Sequence, residues 1–510
     1  MPGQDIQKEV SELAKAIMVQ GTMSNSGKSF LTAGLCRVFM QDGYKAAPFK
    51  SQNMALNSYI TRDGLEIGRA QAMQAEACGI EPTVDMNPIL LKPTSHVGSQ
   101  VIVNGEVRGN WKAMDYYRDK TKLRADVLAA YERLAQEYEI IVIEGAGSPA
   151  EINLRENDIV NMGMAKMAKA PVLLVGDIDR GGVFAALYGT VKLLEEDEQR
   201  MIKGLVINKF RGDVQILKPG LRMIEERLSI PVLGVVPLEP LDIDDEDSLS
   251  DRLTRTRKEA GIDVAVIHLP HISNFTDFSV FERMDGVSLR YVQKPGMLGS
   301  PDLILLPGTK NTMDDLQWMR ESGMETLILR QAEKKTPVIG ICGGFQMLGE
   351  VMEDPHGVEH GGSMRGMGLL GTRTVFSEAK TRTQISGRME QGAGLWEDWT
   401  GREVSGYEIH MGVTENLGGC TELIRLADGR TDALANADGS VLGSYLHGIF
   451  DTAGFAESMI KKLMADKGME YGSFHFDLQA HKEREYDRLA DLVRRSFDMK
   501  KIYEILEEGI

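Results

Sequence analysis

The chain has 510 residues, more than one hydrophobic core usually serves, since cores stop growing near about 250–300 residues. It carries 75 Asp and Glu against 58 Lys and Arg, a formal net charge of −17, which argues against nucleic acid or an anionic membrane as the main partner. At 42% hydrophobic residues it can build globular cores, yet no apolar run approaches the roughly 20 residues needed to cross a bilayer.

The first residues (MPGQDIQKEVSELAK) read as a polar helix without a secretory apolar stretch. Cys36, Cys78, Cys342 and Cys420 lie far apart with no CxxC pair. That spacing excludes a disulfide framework and a compact zinc module, and it fits a reduced cytosol. A cytoplasmic protein is expected.

Short apolar strands then alternate with helical stretches, the pattern of a parallel α/β sheet. They read KAIMVQ (15–20), AAPF (46–49), IIVIE (140–144), PVLLVG (171–176), GLVIN (204–208) and PVLGVV (231–236). Several are near-continuous Val, Ile and Leu, as strands covered on both faces must be. Residues 241–261 are charged and Asp-rich, and read as a solvated linker. A second series follows with IDVAVIHLP (262–270), VSLRYV (287–292), DLILLPG (302–308) and TPVIGIC (336–342). From there to about 451 the chain is Gly-rich, with antiparallel strands expected, and from about 480 it is a charged amphipathic helix expected to pack on the second domain. The expected fold class is α/β in two domains: a phosphate-loop unit over 1–250, a linker at 251–260, and a second unit over 261–510 that includes the tail.

The first strand runs into GTMSNSGKS (21–29) and then a helix. A glycine-rich loop ending in Gly-Lys-Ser at a helix N-terminus presents backbone N–H groups to a phosphate, a lysine ammonium beside it, and a hydroxyl suited to Mg²⁺. Gly21, Thr22, Ser26, Gly27, Lys28 and Ser29 are therefore the candidate nucleotide contacts. Five residues separate Gly21 from Gly27, one more than in the common phosphate loop. Glu144 ends a buried strand at the edge where open α/β sheets bind ligands; a Mg²⁺ ligand beside Ser29 and a helix-capping residue are both open to it. Asn208 follows another strand, as a nucleotide contact or a turn residue. Asp177 and Asp179, in GDIDRGG, either touch metal or substrate or shape a turn. Lys50, Gln52 and Asn53, in KSQNMALNS (50–58), suit a large polyamide or polycarboxylate substrate.

In the second series, strand, G-I-C-G-G and helix expose Cys342 on a sharp turn, where a helix N-terminus favours the thiolate. His447 in GSVLGSYLHGIFD (439–451) is the first choice of base, with His410 and His271 as others. Backbone N–H groups at Gly308 and Gly343 would hold an oxyanion.

Two resemblances follow from these motifs. The long phosphate loop, with EGAGSPAEINL (144–154) and GLVINKF (204–210), resembles dethiobiotin synthetase and its relatives, in which the Asn208 position reads the adenine edge. GICGGFQMLG (340–349) with YLHGIFD (445–451) and LPGTKNT (306–312) resembles a class I glutamine amidotransferase domain. The usual His-Pro-Glu is here His447-Gly448-Ile449, so a third triad member must come from elsewhere, with Glu408 as a guess. The order of the two domains, together with KSQNMALNS, EIGRAQAMQA, NPILLKP and DIDRGGVFA, resembles the cobyric acid synthase family over nearly the whole chain. That resemblance implies Mg²⁺ with ATP, glutamine as amide donor, and a corrinoid acceptor amidated on its b, d, e and g carboxylates. It implies no protein-held transition metal, cobalt belonging to the substrate. Rival readings are cobyrinic acid a,c-diamide synthase, another ATP-dependent amidotransferase such as CTP synthase, and a partition-type nucleotide switch.

Overall fold

The structure, a computed structural model, describes residues 14–95, 98–243, 261–470 and 477–510. The expected N-terminal helix and the linker at 251–260 lie outside these residues, the former except for its last two positions, Ala14 and Lys15.

The first sheet has six strands, all parallel, in the spatial order Val232–Pro237, Ile202–Phe210, Val172–Asp177, Lys15–Gly21, Ile140–Glu144, Ala46–Phe49. Because side chains alternate across a strand, each strand feeds two cores. Ile17, Val19, Ile140, Val142, Leu173 and Val175 face the helix Lys28–Gln41. Met18, Ile141, Ile143, Leu174 and Ile207 face the helices Arg124–Glu137 and Val183–Leu193. The strand ends that carry the phosphate loop, Glu144, Asp177 and Asn208 all lie at one edge, as parallel topology requires.

A small four-stranded sheet, Gln52–Met54, Ile89–Ser95, Gly98–Val103 and Glu106–Lys112, occupies the stretch that the sequence shows chiefly as a polar series. Its buried runs, Ile89–Lys92 and Gln100–Val103, are only four residues long, and Gln52–Met54 is shorter still.

The second domain is built on an eleven-stranded mixed sheet. Its parallel part runs Val287–Val292, Ile262–Ile267, Leu303–Leu306, Val338–Ile341, Val441–Ser444. The long strands Thr372–Met389 and Glu403–Asn416 form an antiparallel ribbon that reaches the first domain. There Gln384 donates to Ile60 O, and Arg382 Nη2 lies 2.6 Å from Glu106 Oε2.

The tail corrects an expectation. The helix Leu478–Ser496 packs on the first domain, not the second, burying Tyr486, Leu489, Ala490 and Val493 against Leu31, Leu35 and Val38. Its apolar residues recur at helical spacing and form one stripe. The partner helix offers a matching face: Gly34 has no side chain, and a Cβ there would come within 2.6 Å of Val493. Arg37 then fixes the pair, donating to Asp487 and Glu483 at 2.8 and 2.7 Å. Leu489 is 1% exposed, so Leu489→Ala is expected to destabilise the first domain by about 2–5 kcal/mol. The measurement is its urea midpoint; an unchanged midpoint would mean that the tail docks without stabilising.

Among the described residues no helix is long and apolar enough to cross a membrane, and no three His, Cys, Asp or Glu side chains converge on a possible metal position.

Candidate active sites in the two domains

In the first domain the loop between strand and helix turns at Gly27, whose φ of +91° is costly for any residue with a Cβ. Such an atom would also lie 2.1 Å from the Asn208 amide. Gly21 is equally confined, a Cβ there falling 2.2 Å from Ser26 Oγ. Lys28 Nζ donates to Met23 O at 3.0 Å and Gly147 O at 3.2 Å, so the ammonium sits within the loop. Ser29 Oγ donates to Glu144 Oε1 at 3.0 Å. The same carboxylate receives Lys50 Nζ at 2.8 Å and Gln74 Nε2 at 2.6 Å, with Glu144 only 2% exposed. Thr22 Oγ1 and Ser26 Oγ are buried there without a protein partner. Buried polar atoms are rarely left so, and they fit a phosphate-bearing ligand. The hydroxyl of Ser29 and the carboxylate of Glu144 are adjacent hard oxygen donors and fit Mg²⁺.

Asn208 Nδ2 donates to Ser26 O at 2.9 Å. In this structure the side chain braces the phosphate loop. Asp177 Oδ2 receives Lys209 Nζ at 2.9 Å, and its Oδ1 accepts the Asp179 N–H at 2.8 Å, which closes a turn. Asp179 pairs with Arg211 at 2.8 Å. Gln52 Oε1 accepts the Tyr116 hydroxyl at 2.6 Å, and Asn53 Nδ2 donates to Gln71 at 3.1 Å. Lys50 therefore joins the phosphate loop's carboxylate directly, whereas Gln52 and Asn53 are held by neighbours in the small sheet and the adjoining helices.

In the second domain Cys342 takes φ 52° and ψ −108° between the strand Val338–Ile341 and the helix Gly343–Leu348. Strain of that kind in a non-glycine residue marks a nucleophile turn. The helix can start so close to the neighbouring strand Leu303–Leu306 and the turn after it only because it begins with glycines. A Cβ on Gly344 would lie 2.1 Å from Leu306 O, and one on Gly343 would lie 3.1 Å from Thr309 N. Gly308 faces the other way, where a Cβ would meet His447 Cε1 at 3.0 Å. Gly308 and Gly343 thus flank the region between thiol and imidazole.

His447, 1% exposed, directs Nδ1 at Asp277 Oδ2, 2.7 Å away. The other carboxylate oxygen of Asp277 accepts the Gly448 N–H at 3.0 Å. Burial alone would lower the His447 pKa; the charges of Asp277 and Cys342 outweigh it and raise the value to about 10. Asp277 is the carboxylate that the sequence reading missed. The guess of Glu408 is corrected: that side chain pairs with Arg430 and with His410 Nε2 at 3.5 Å. The departure from His-Pro-Glu has a physical use, since a proline at position 448 would have no N–H to hold Asp277. A signal was present: Asp277 follows the strand Ile262–Ile267 on the ligand-bearing edge, six residues beyond His271. His271 itself is bound to Asp315 at 2.7 Å, and His410 bonds Gly412 O at 2.7 Å.

Cys342 and His447 open on a cavity of about 570 Å³ lined by both domains, with Lys310, Gln346 and Glu359 from the second and Lys92, Gln100 and Asn110 from the first. Beside it a charged cluster spans the boundary: Glu66 lies between Lys92 Nζ at 2.9 Å and Lys380 Nζ at 2.5 Å. Burial would raise Glu66, but the two ammonium groups hold it well below the usual carboxylate range. Burial pushes Lys380 down to about 7, Lys92 and Lys310 adding to the effect and Glu66 opposing it.

Comparison with known proteins agrees with these two halves. Residues 17–248 match the CobQ/CobB/MinD/ParA nucleotide binding domain, and residues 263–455 match the CobB/CobQ-like glutamine amidotransferase domain. The cobyric acid synthase of Lachnoclostridium phytofermentans is 57% identical over 98% of this chain and 100% of its own length. That of Ruminiclostridium cellulolyticum is 56% identical over 98% of both chains. That of Salmonella heidelberg is 50% identical over 97% of this chain and 99% of its own. With a nucleotide-binding half and a glutamine-hydrolysing half in one chain, and such identity from end to end, the chain belongs to the cobyric acid synthase family of glutamine-hydrolysing ligases.

Proposed function

We propose that the protein amidates the b, d, e and g carboxylates of adenosylcobyrinic acid a,c-diamide, using ATP and glutamine, to give adenosylcobyric acid. The observation that carries this reading is the pairing, in a chain that aligns with cobyric acid synthases over 98% of its residues, of the Lys28–Ser29–Glu144 site with a Cys342–His447–Asp277 chain. The working division is a synthetase unit over 1–250, a linker at 251–260 and an amidotransferase unit from 261, with the tail helix Leu478–Ser496 assigned to the first unit by its packing. A reducing cytoplasmic setting belongs to the same proposal and suits four free cysteines.

The chemistry needs both halves. A carboxylate does not accept ammonia directly, because hydroxide is a poor leaving group. Transfer of the γ-phosphoryl of ATP makes an acyl phosphate, whose phosphate leaves readily. Lys28 and the loop N–H groups at Gly27 and its neighbours neutralise the charge that builds on the transferred group. Ser29 and Glu144 would hold Mg²⁺, which supplies further charge neutralisation when bound. Asn208 keeps the loop in shape, and contact with the adenine edge remains part of the proposal. Lys50, Gln52, Asn53, Asp177 and Asp179 are proposed to face the acceptor side, Lys50 first among them because it touches Glu144.

In the other half Cys342 attacks the glutamine side-chain amide. Gly308 and Gly343 N–H groups are the proposed donors to the oxyanion, and the His447 imidazolium gives its proton to the leaving ammonia. Water then resolves the thioester and releases glutamate. Ammonia stays nucleophilic only while unprotonated, and a cavity walled by both domains suits its transfer out of bulk water.

The deciding experiment incubates the protein with adenosylcobyrinic acid a,c-diamide, Mg-ATP and glutamine, and follows the corrinoid by mass spectrometry. The expected result is a ladder of four acid-to-amide exchanges. An unchanged corrinoid, with cobyrinic acid or UTP consumed instead, would overturn the substrate. ATP turnover that needs neither glutamine nor an acceptor would favour a nucleotide switch.

A further inference from the structure

The run from Lys50 to Ile60 belongs to the nucleotide-binding half, yet its far end touches Asn274 and Tyr407, two residues that approach His447. At one end Lys50 Nζ lies 2.8 Å from Glu144 Oε1. At the other, Asn57 and Asn274 meet across the domain boundary. The Asn274 N–H donates to Asn57 Oδ1 at 2.7 Å, and the Ser58 N–H donates to Asn274 Oδ1 at 3.2 Å. Asn57, Ser58 and Asn274 are 1, 1 and 3% exposed, so these bonds are made out of water, where an unmatched partner is costly.

Asn274 is a revealing place for such a pair. Its φ is +52°, a left-handed conformation that needs local support. It begins the short turn Phe275–Phe278, which carries Asp277 to His447. With its oxygen taken by Ser58, Asn274 turns Nδ2 toward the imidazole, 3.4 Å from Nε2 and 3.5 Å from Nδ1. A second contact converges on the same ring. Ile60 packs with Tyr407, and Tyr59 lies 6.2 Å from it between ring centres. Tyr407 in turn stacks on His447 at 5.2 Å and exchanges backbone hydrogen bonds with it at 3.0 and 2.9 Å.

We propose that Asn57 is a positioning residue for glutamine hydrolysis: through the Asn274 backbone it fixes the turn that carries Asp277, and with it the orientation of His447. The half that consumes ammonia would thereby help to assemble the centre that releases it. This inference rests on the reading of Cys342, His447 and Asp277 as the glutamine-hydrolysing centre.

The test compares Asn57→Ala and Asn57→Asp in the full chain, with Cys342→Ala as control. Glutamine hydrolysis is measured by glutamate release, and amidation driven by ammonium chloride is measured separately. Misplacing a general acid by a fraction of an ångström to one ångström is expected to lower kcat for glutamine by about 10- to 100-fold in Asn57→Ala. KM for glutamine and ammonium-driven amidation should stay near the parent values. Asn57→Asp keeps the oxygen that accepts from Asn274 and should recover most of the lost kcat. Full glutaminase kcat in Asn57→Ala would overturn the proposal, as would parallel loss of the ammonium-driven reaction in a folded variant. If the alanine variant does not fold, the aspartate variant decides: a kcat near the parent's supports the acceptor role, and a folded variant with a depressed kcat removes it. Persistent glutamate release in Cys342→Ala would instead sink the underlying reading of the centre.

Discussion

Replacing Cys342 with alanine will remove glutamine-driven amidation while ammonium-driven amidation continues. Loss of a covalent nucleophile costs about 10³-fold or more, because no neighbouring group forms the thioester in its place. Alanine is the suitable substitute. It keeps a Cβ at φ 52°, the conformation the elbow already imposes on a non-glycine residue, and it removes only the sulfur. The phosphate loop lies in the other domain, so carboxylate activation should persist, and excess ammonium chloride at mildly alkaline pH should replace the missing ammonia. Corrinoid amides counted by mass spectrometry, with glutamine or ammonium as donor, give the readout. Activity lost with both donors would mean that the two half-reactions are not separable; glutamine-driven activity retained would remove Cys342 from the mechanism.

Asp277→Asn is the second large effect. The carboxylate lies 2.7 Å from His447 Nδ1, in a site almost closed to water. An amide of the same shape keeps the packing but carries no charge and can stabilise the wrong tautomer, which in catalytic triads costs about 10²–10⁴-fold in kcat. The pH profile separates this from a structural defect. His447 stands at about 10 because the Asp277 and Cys342 charges outweigh burial, which acts in the opposite direction. Removing one of those charges leaves burial less opposed, so the pKa falls. The protonated imidazole is needed to give a proton to the leaving ammonia, and activity is lost as pH rises through that pKa. The alkaline limb of kcat/KM for glutamine should therefore move to lower pH in Asp277→Asn. Glu408→Gln should leave the limb in place, since Glu408 is engaged with Arg430 and not with His447. A limb that moves in Glu408→Gln and stays put in Asp277→Asn would restore the discarded assignment.

The two mutations differ in how their targets became visible. Cys342 was legible because its evidence is local: a β-run, small residues on both sides, and a helix start, all within nine residues of TPVIGICGG. The phosphate loop was legible for the same reason. Backbone geometry at Gly21, Gly27, Gly343 and Gly344 leaves no room for a side chain, and that restriction is written directly into composition. His447 was picked from several histidines by a short motif, and Glu144 by its place at a strand end. The near-continuous apolar strands likewise announced the parallel sheet of the first domain and the parallel part of the second, because strands buried on both faces are dominated by apolar residues.

What the sequence left open depends on which distant surfaces meet. Asp277 and His447 are separated by 170 positions, and no periodicity relates them; the sheet order brings both to one edge. Asn57 and Asn274 belong to different domains, and an asparagine's meaning lies in its hydrogen-bond partner. The tail helix shows an apolar stripe in the sequence, but the stripe does not say which face it covers. Gly34 and Arg37 on the helix Lys28–Gln41 provide the close approach and the charges that decide it. Local backbone chemistry, with its steric limits, was fixed by sequence alone. Partner choice between distant side chains was fixed only by tertiary packing, because a hydrogen bond or ion pair has no existence until the fold places its second member within reach.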